Sequence, residues 1–447
     1  MARRLFGTDG VRGVAGEFLT AELTLALGRA ATTRARAGCD SGRPRVLVIR
    51  DTRASGEMLE AAIAAGVAAA GGVALLGGVL PTPAAPLLIR RYGFDLGVVL
   101  SASHNPWRDN GVKFFGADGD KLSDAVEEQI EALLEQPANP QELGGVAQLH
   151  GTLEDYLREL HVRFKGLDLH GRRILLDCAN GATYRAAPEI FRRLGAHVDV
   201  LADAPDGRNI NDGCGSTHIG ELAEAVRSGG HDAGFAFDGD GDRVLAVDRT
   251  GAVVDGDELI ALAALHLKRH GRLPGDGVAV TVMTNYGFHT AMAAAGVEVA
   301  TTAVGDRYVL EALRERGWAL GGEQSGHIIE LGFAPSGDGI ASALLTLEAL
   351  DGGDLAERHA MEKLPQTLVN VRLPDRAAVE RAAAGEEMQQ AVEREQDALA
   401  GRGRVLVRAS GTEPLLRVMV EAPSAEEAEE VCGRLVERAQ AAAVELA

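Results

Sequence analysis

Leu96-Gly97-Val98-Val99-Leu100-Ser101-Ala102-Ser103-His104-Asn105-Pro106 passes from an apolar, β-branched segment straight into a polar loop. The first five residues have the pattern of a strand buried on both faces of a parallel sheet. Asn105-Pro106 forces a turn, because the residue before proline is driven out of the helical region, so the strand must stop there. In open α/β sheets ligands bind beyond the carboxyl ends of the strands, which places Ser103 and His104 where chemistry usually occurs. Taken alone, the loop reads equally well as a serine-rich turn capping the next segment.

The surrounding chain repeats the strand-and-helix alternation. Strands are expected at Arg45–Arg50, Val73–Leu76 and Leu96–Leu100. Helices are expected at Thr20–Arg36, capped by Thr20, after Ser55, capped by Ser55, and at Ala84–Tyr92. The pattern returns with strands Arg173–Asp177, His197–Leu201 and Ala233–Phe237, and again with Val278–Val282 and Val297–Thr301. Strands and helices in alternation predict three α/β units. The last part differs: strands near Thr367–Leu373, Arg404–Val407 and Leu415–Val420 alternate with one helix over Ala377–Leu399 and another over Ala425–Ala443. This predicts an α/β protein of four domains, residues 1–149, 150–248, 249–364 and 365–447. Three are similar mixed α/β sandwich units; the fourth is a smaller α+β domain. The opening Phe6–Gly13, with three glycines in eight positions, reads as a loop.

Bulk properties exclude several functions. With 45 Lys+Arg against 65 Asp+Glu, the formal charge of -20 argues against nucleic-acid binding, which needs a basic footprint. Any anionic ligand must therefore meet a locally basic site. Cys39, Cys178, Cys214 and Cys432 are scattered without metal spacing, as expected of reduced thiols in a cytoplasmic protein. Met1–Gly7 lacks the apolar stretch of a signal peptide. The uncharged Ala61–Ile89 is interrupted by glycines and prolines and reads as helix, strand, turn and helix, so no membrane segment is expected.

Three further loops carry chemistry. Asp238-Gly239-Asp240-Gly241-Asp242-Arg243 follows an apolar strand, and its alternating carboxylates can converge on one hard cation. An EF-hand is excluded, because Arg243 and Arg249 stand where that motif needs Gly and Glu. Few protein ligands and an open site suit Mg²⁺. Gly322-Glu323-Gln324-Ser325-Gly326-His327 sets Glu323 and Ser325 two residues apart, facing one way in an extended loop; a plain polar turn accounts for it as well. Arg408-Ala409-Ser410-Gly411-Thr412-Glu413-Pro414, with Arg417 beyond, combines a guanidinium, two hydroxyls and a Gly-opened backbone into a phosphate cradle. There is no Walker loop and no GxGxxG after a first strand.

In this order, Ser101–Pro106, Asp238–Arg243, Gly322–His327 and Arg408–Pro414 resemble the motifs of the α-D-phosphohexomutase superfamily, over essentially the whole chain. Phe6-Gly7-Thr8-Asp9-Gly10-Val11-Arg12-Gly13, the Ser-Ala-Ser form at Ser101 and Gln324 resemble its amino-sugar branch. The resemblance implies four domains around a central cleft and a cytoplasmic isomerase. Its substrate would be a small sugar phosphate, with glucosamine 6-phosphate and glucosamine 1-phosphate interconverted for cell-wall precursors; mannose or glucose phosphates are the alternative. It implies a phosphoserine at Ser103, first loaded by a kinase, by autophosphorylation or by a bisphosphate sugar. Ser103, Asp238, Asp240 and Asp242 would hold Mg²⁺. Arg12, Lys113 and Arg243 would neutralise the phosphoryl group, with His104 beside it. Lys113, its pKa lowered by the metal's charge, or His327 would move protons. Glu323 and Ser325 would grip sugar hydroxyls, and Arg408, Ser410, Gly411, Thr412 and Arg417 a phosphate. Asp306-Arg307 is expected to join the site, and a homodimer is compatible with the family.

Overall fold

The computed structural model describes residues 5–7, 9–39, 41–137, 142–409 and 414–445, with side chains to 441. Its first layer contains β1 (Val11–Val14), β2 (Arg45–Arg50), β3 (Val73–Val79), β4 (Leu96–Leu100), β5 (Asp109–Gly116) and β6 (Gly145–Gln148). They hydrogen-bond in the order β1-β5-β4-β2-β3-β6. β4 runs parallel to β2 and antiparallel to β5, and all five of its residues are buried. Helices α1 (Ala21–Arg36), α2 (Gly56–Ala69), α3 (Ala84–Tyr92), α4 (Asp124–Leu133) and α5 (Thr152–Arg163) accompany this layer.

Thr20 caps α1 as expected, its side chain accepting from Leu23 N. Ser55 does not cap α2; its Oγ instead accepts from Asn110 Nδ2 at 2.9 Å. Phe6–Gly13 is not wholly loop either. Val11–Val14 forms an edge strand whose Val11 lies opposite Val112. The glycines allow this pairing: a Cβ on Gly10, at φ +79°, would stand 2.3 Å from Val112 O. Periodicity did not point to β5, because this buried strand carries Asn110 and Lys113 inside it.

The second layer orders β7 (Arg173–Asp177), β8 (His197–Leu201), β9 (Ala233–Phe237), β10 (Val244–Asp248) and β11 (Val253–Val254) as β11-β10-β9-β7-β8, with α6 (Ala186–Arg193) and α7 (Gly220–Gly229). The third follows α8 (Gly256–Arg269). Its strands β12 (Gly277–Thr281), β13 (Glu298–Thr302), β14 (Leu320–Gly322) and β15 (Ile328–Glu330) take the order β13-β12-β14-β15. Between β12 and β13 lies α9 (Tyr286–Ala294); α10 (Asp306–Arg316) and α11 (Gly339–Leu350) complete the layer. All three sheets are mixed, because β5, β10 and β15 each turn back antiparallel.

These layers form one compact unit, residues 1–283 with 297–358; the other comprises 284–296 and 359–447. Helix α9 belongs to the second unit. Asn285 Nδ2 donates to Leu364 O at 3.0 Å, Leu364 N returns a bond to Asn285 Oδ1, and Tyr286 N donates to Glu421 Oε2 at 2.8 Å. The second unit pairs β16 (Gln366–Arg372), β17 (Arg404–Ala409) and β18 (Leu415–Glu421) antiparallel in the order β16-β18-β17. The single helix expected over Ala377–Leu399 is two, α12 (Arg376–Ala384) and α13 (Glu386–Leu399), because Gly385 is extended at φ −63°, ψ 136°. Helix α14 (Ala425–Glu445) closes the chain's described part. Among the described residues no helix is long and apolar enough to cross a membrane, and the four cysteines are free.

Candidate active site

The sheet sets Ser103 directly past the end of β4. Its backbone adopts φ +52°, a left-handed conformation that costs a non-glycine residue about 1–2 kcal/mol. Buried contacts hold it there. Arg53, 1 % exposed, donates from Nη2 to Ser103 O and Asn105 O, both at 2.9 Å, and from Nη1 to Asp109 O at 2.9 Å and to Pro106 O. Asn211 Nδ2 adds a second donor to Ser103 O at 2.9 Å. Asp51 anchors the clamp, accepting from Arg53 Nε at 2.8 Å and from Ser101 Oγ at 2.6 Å. Ser101 Oγ in turn accepts from Ser103 N at 3.0 Å. The outcome is a side chain aimed with little freedom: Ser103 Oγ donates to Asp238 Oδ2 at 2.5 Å and lies 3.3 Å from His104 Nδ1. Burial, then Arg243 and Arg12, push the His104 imidazole below its ordinary pKa, favouring the neutral ring.

Asp238, Asp240 and Asp242 follow β9, all buried, each offering an oxygen within 4.8 Å of the others. Burial, reinforced by Asp242 and Asp240, pushes the Asp238 carboxyl well above the usual range. Burial also opposes ionisation of Asp240, but Lys113 and a hydrogen bond from Thr82 (2.6 Å) hold it below that range. Oδ1 of Asp240 and of Asp242 is buried without a hydrogen-bond partner among the described residues. Converging hard oxygens, like-charge repulsion and two orphaned acceptors fit a metal ion held by these three residues. Gly241, at φ +73°, permits the tight path between them.

Above them opens a cleft of about 690 Å³. It is lined by Asp9, Arg12, Ser103 and His104 from the first layer, Asp242 and Arg243 from the second, and Asp306, Glu323, Ser325 and His327 from the third. Thus Arg12, His104, Arg243, Glu323, Ser325 and His327 line the same cleft as Ser103. Gly337 N donates to His327 Nε2 at 3.2 Å, so a neutral ring carries its proton on Nδ1, which has no partner among the described residues. Glu323 Oε1 accepts from Gly305 N at 3.1 Å, which fixes the sugar loop against the start of α10.

Lys113 lies beneath the cleft rather than in its lining. Its register opposite Val99 buries it, and Nζ stands 2.8 Å from Asp240, 3.0 Å from Asp9 and 3.8 Å from Asp242. Burial disfavours its charge, but these carboxylates more than compensate and hold it above the ordinary lysine range. The expected lowering of its pKa is thus the reverse of what the protein's own charges produce. Of Asp306-Arg307, only Asp306 enters the cleft; Arg307 turns away to Asp124 and Glu127.

In the second unit, Arg408 and Arg417 face each other across β17 and β18. Burial and then Arg417 lower the Arg408 pKa. Arg417 Nε is buried with no partner among the described residues. Ser410, Gly411 and Thr412 lie outside the described residues.

Asp51 and Arg53 were missed by sequence reasoning, although Asp51-Thr52-Arg53 also follows the carboxyl end of a strand, β2, and the rule that singled out Ser103 covers it. Thr82 follows β3 in the same way. Asn211 carries no local signal.

Comparison with known proteins agrees with this geometry. Residues 3–141, 154–251 and 255–368 match the alpha/beta/alpha domains I, II and III of phosphoglucomutase/phosphomannomutase, and 368–438 its C-terminal domain. A phosphoglucosamine mutase of Moorella thermoacetica is 51% identical over 97% of this chain and 98% of its own. Another, of Heliobacterium modesticaldum, is 49% identical over 96% and 97%. A phosphoglucomutase/phosphomannomutase family protein of Burkholderia thailandensis shares the fold with TM-score 0.82 at 24% identity, covering 98% of both chains.

Proposed function

The chain belongs to the phosphoglucosamine mutases, within the phosphoglucomutase/phosphomannomutase family, and we infer that it interconverts glucosamine 6-phosphate and glucosamine 1-phosphate through a phosphoserine at Ser103. The observation that carries this reading is the aim of the Ser103 hydroxyl. It stands 2.5 Å from the first carboxylate of a buried acidic triad, at the edge of a cleft large enough for a sugar phosphate. All-oxygen ligation by few protein groups favours Mg²⁺, which would spread the charge of the transferring phosphoryl group.

The chain's own residues supply positioning and charge. Glu323 and Ser325 would hold sugar hydroxyls so that O1 faces the phosphoserine. The O1–P bond forms as the Ser103 Oγ–P bond breaks. The proton lost from O1 balances the proton regained by Ser103 Oγ, with Lys113 as the proposed carrier. It holds a proton in the resting site, gives it to Oγ and takes up the one leaving O1, while the Nδ1–H of a neutral His327 is already protonated and can only donate. Arg12 and Arg243, whose guanidiniums line the cleft, would neutralise the phosphoryl oxygens in flight. The resulting 1,6-bisphosphate turns over and returns its 6-phosphate to Ser103. Arg408 and Arg417 are proposed as the cations for the phosphate that is not reacting. Buried free thiols at Cys178, Cys214 and Cys432 support a reducing, cytoplasmic setting.

The test is kcat/KM for glucosamine 6-phosphate against glucose 6-phosphate and mannose 6-phosphate. A preference of about a hundredfold or more, roughly 2.7 kcal/mol of transition-state discrimination, is expected for the amino sugar. Equal or faster turnover of glucose or mannose phosphates would keep the mechanism and overturn the substrate.

A further inference from the structure

Lys121 lies just beyond β5 and takes no part in the transfer chemistry above. Its Nζ stands 2.5 Å from Asp9 Oδ1 and 2.5 Å from Asp306 Oδ2. Both carboxylates line the cleft but come from different layers, Asp9 from the segment before β1 in the first and Asp306 from the start of α10 in the third. Each continues into its own layer. Asp9 accepts from Arg12 and lies 3.0 Å from Lys113 Nζ, and Asp306 lies 3.8 Å from His327 Nε2. One ammonium therefore joins the charge network around Ser103 to the network around His327.

Neighbouring contacts make this point the middle of a seam. Arg314 pairs with Asp120, and Arg307 pairs with Asp124 and Glu127, so residues 120–127 are bonded repeatedly to α10. Arg314 is 44% exposed, and a pair that open to solvent contributes little. The Lys121 side chain is 16% exposed, between carboxylates 17% and 20% exposed. Removing a buried centre of this kind leaves two like charges facing each other.

We propose that Lys121 is a positioning residue that ties together two layers that line the cleft, so that a bisphosphate is retained while it reorients. The inference rests on the mutase reading above. Lys121 touches no reacting atom, and no bond changes at it. Without it, the groups that perform the first transfer remain in place, because the sugar loop is held to the acidic loop by the backbone pairing of Arg243 with His327 and by the bond from Val244 N to Gly326 O, but Asp9 and Asp306 repel and the start of α10 moves away from Asp9.

The experiment compares wild type, Lys121→Met and Lys121→Arg, each phosphorylated on Ser103 beforehand, with glucosamine 6-phosphate. Single-turnover transfer to the sugar is read by quench-flow, and bisphosphate released to solution by mass spectrometry during steady-state turnover. Lys121→Met should keep single-turnover transfer within about fivefold of wild type. It should release bisphosphate at least tenfold more often per turnover and lose steady-state rate unless bisphosphate is added. Lys121→Arg, retaining the charge, should recover most of the retention. If Lys121→Met is not folded by circular dichroism, the charge-neutral pair Lys121→Met/Asp306→Asn is read for the same release. Equal release from wild type and the neutral variants overturns the proposal. So does a parallel fall in single-turnover and steady-state rates without release. Failure of the wild type itself to isomerise glucosamine 6-phosphate would instead overturn the reading on which it rests.

Discussion

Two acidic clusters in the first compact unit treat charge in opposite ways. Around Glu330 and Glu348 the carboxylates are matched by guanidiniums: Arg163 Nη2 lies 2.8 Å from Glu330 and 3.1 Å from Glu348, and Arg272 lies 3.4 Å and 3.2 Å from the same pair. No oxygen of either glutamate is buried without a partner among the described residues. Around Asp238, Asp240 and Asp242 three carboxylates crowd together, Lys113 is shared with Asp9, and two carboxylate oxygens are buried without a hydrogen-bond partner among the described residues. The first arrangement is complete and holds structure together; the second is complete only with a cation. Charge imbalance under burial, more than the presence of acidic residues, separates a ligand site from a structural one.

The sharpest test of this contrast is to remove what the unbalanced cluster serves. Ser103→Ala should lower mutase turnover by about 10⁴-fold or more and abolish a phosphoryl mass increment on the intact protein, read by kinetics and mass spectrometry. Asp240→Asn should cost about 10²–10³-fold in kcat/KM. It should also remove the rise in Tm that divalent cations give the wild type, whereas Glu348→Gln should leave that rise intact. A cation response that survives Asp240→Asn would break the comparison.

Arg53→Met probes the clamp behind Ser103. It removes the cation beside buried Asp51 and the Arg53 donors to four carbonyl groups, of which Ser103 O and Asn105 O keep Asn211 Nδ2, so a loss of about 3–5 kcal/mol in denaturant unfolding is expected, with kcat reduced more than KM raised.

Two pH profiles complete the series, with smaller effects of opposite sign. Burial opposes ionisation of Glu348, yet the nearby His266, 3.6 Å away, and hydrogen bonds from Arg163 bring its pKa to about 2 from 4.5. Its contribution to stability is full above pH 4.5 and lost as pH falls toward 2. Glu348→Gln should therefore flatten the unfolding free energy over that interval, by about 1 kcal/mol for a partly exposed pair, read by denaturant unfolding at each pH. Asp338 is fully buried, accepts from Tyr156 Oη at 3.0 Å, and is pushed up to about 7 by burial. It stabilises the fold when protonated and ceases to do so as pH rises through about 7. Asp338→Asn should raise the unfolding free energy above that pH, by about 1–2 kcal/mol, and leave it unchanged below about pH 4, read by denaturant unfolding.

Much of the site was legible because its parts lie at strand ends, where a one-dimensional pattern announces them. The apolar runs Leu96–Leu100 and Ala233–Phe237 each stop at the loop that matters, and both strands are buried as their composition required. Legibility failed where function overrides pattern. Strand β5 hides Asn110 and Lys113 in the interior, so periodicity could not find it, and the glycines of Phe6–Gly13 concealed an edge strand. Asn211 meets Ser103 across 108 residues of sequence, with nothing local to mark it.

Local composition determined the α/β alternation, the four chemical loops and the residue types able to hold a metal and a sugar phosphate, because these depend on spacing and side-chain chemistry within a few residues. The tertiary structure decided which of those groups bear charge and which way they face. It turned Asp306 inward and Arg307 outward, surrounded Lys113 with carboxylates that raise its pKa, and set one lysine between two layers that line the cleft. Electrostatic fields and burial are sums over neighbours distant in sequence, and only the folded chain brings those neighbours together.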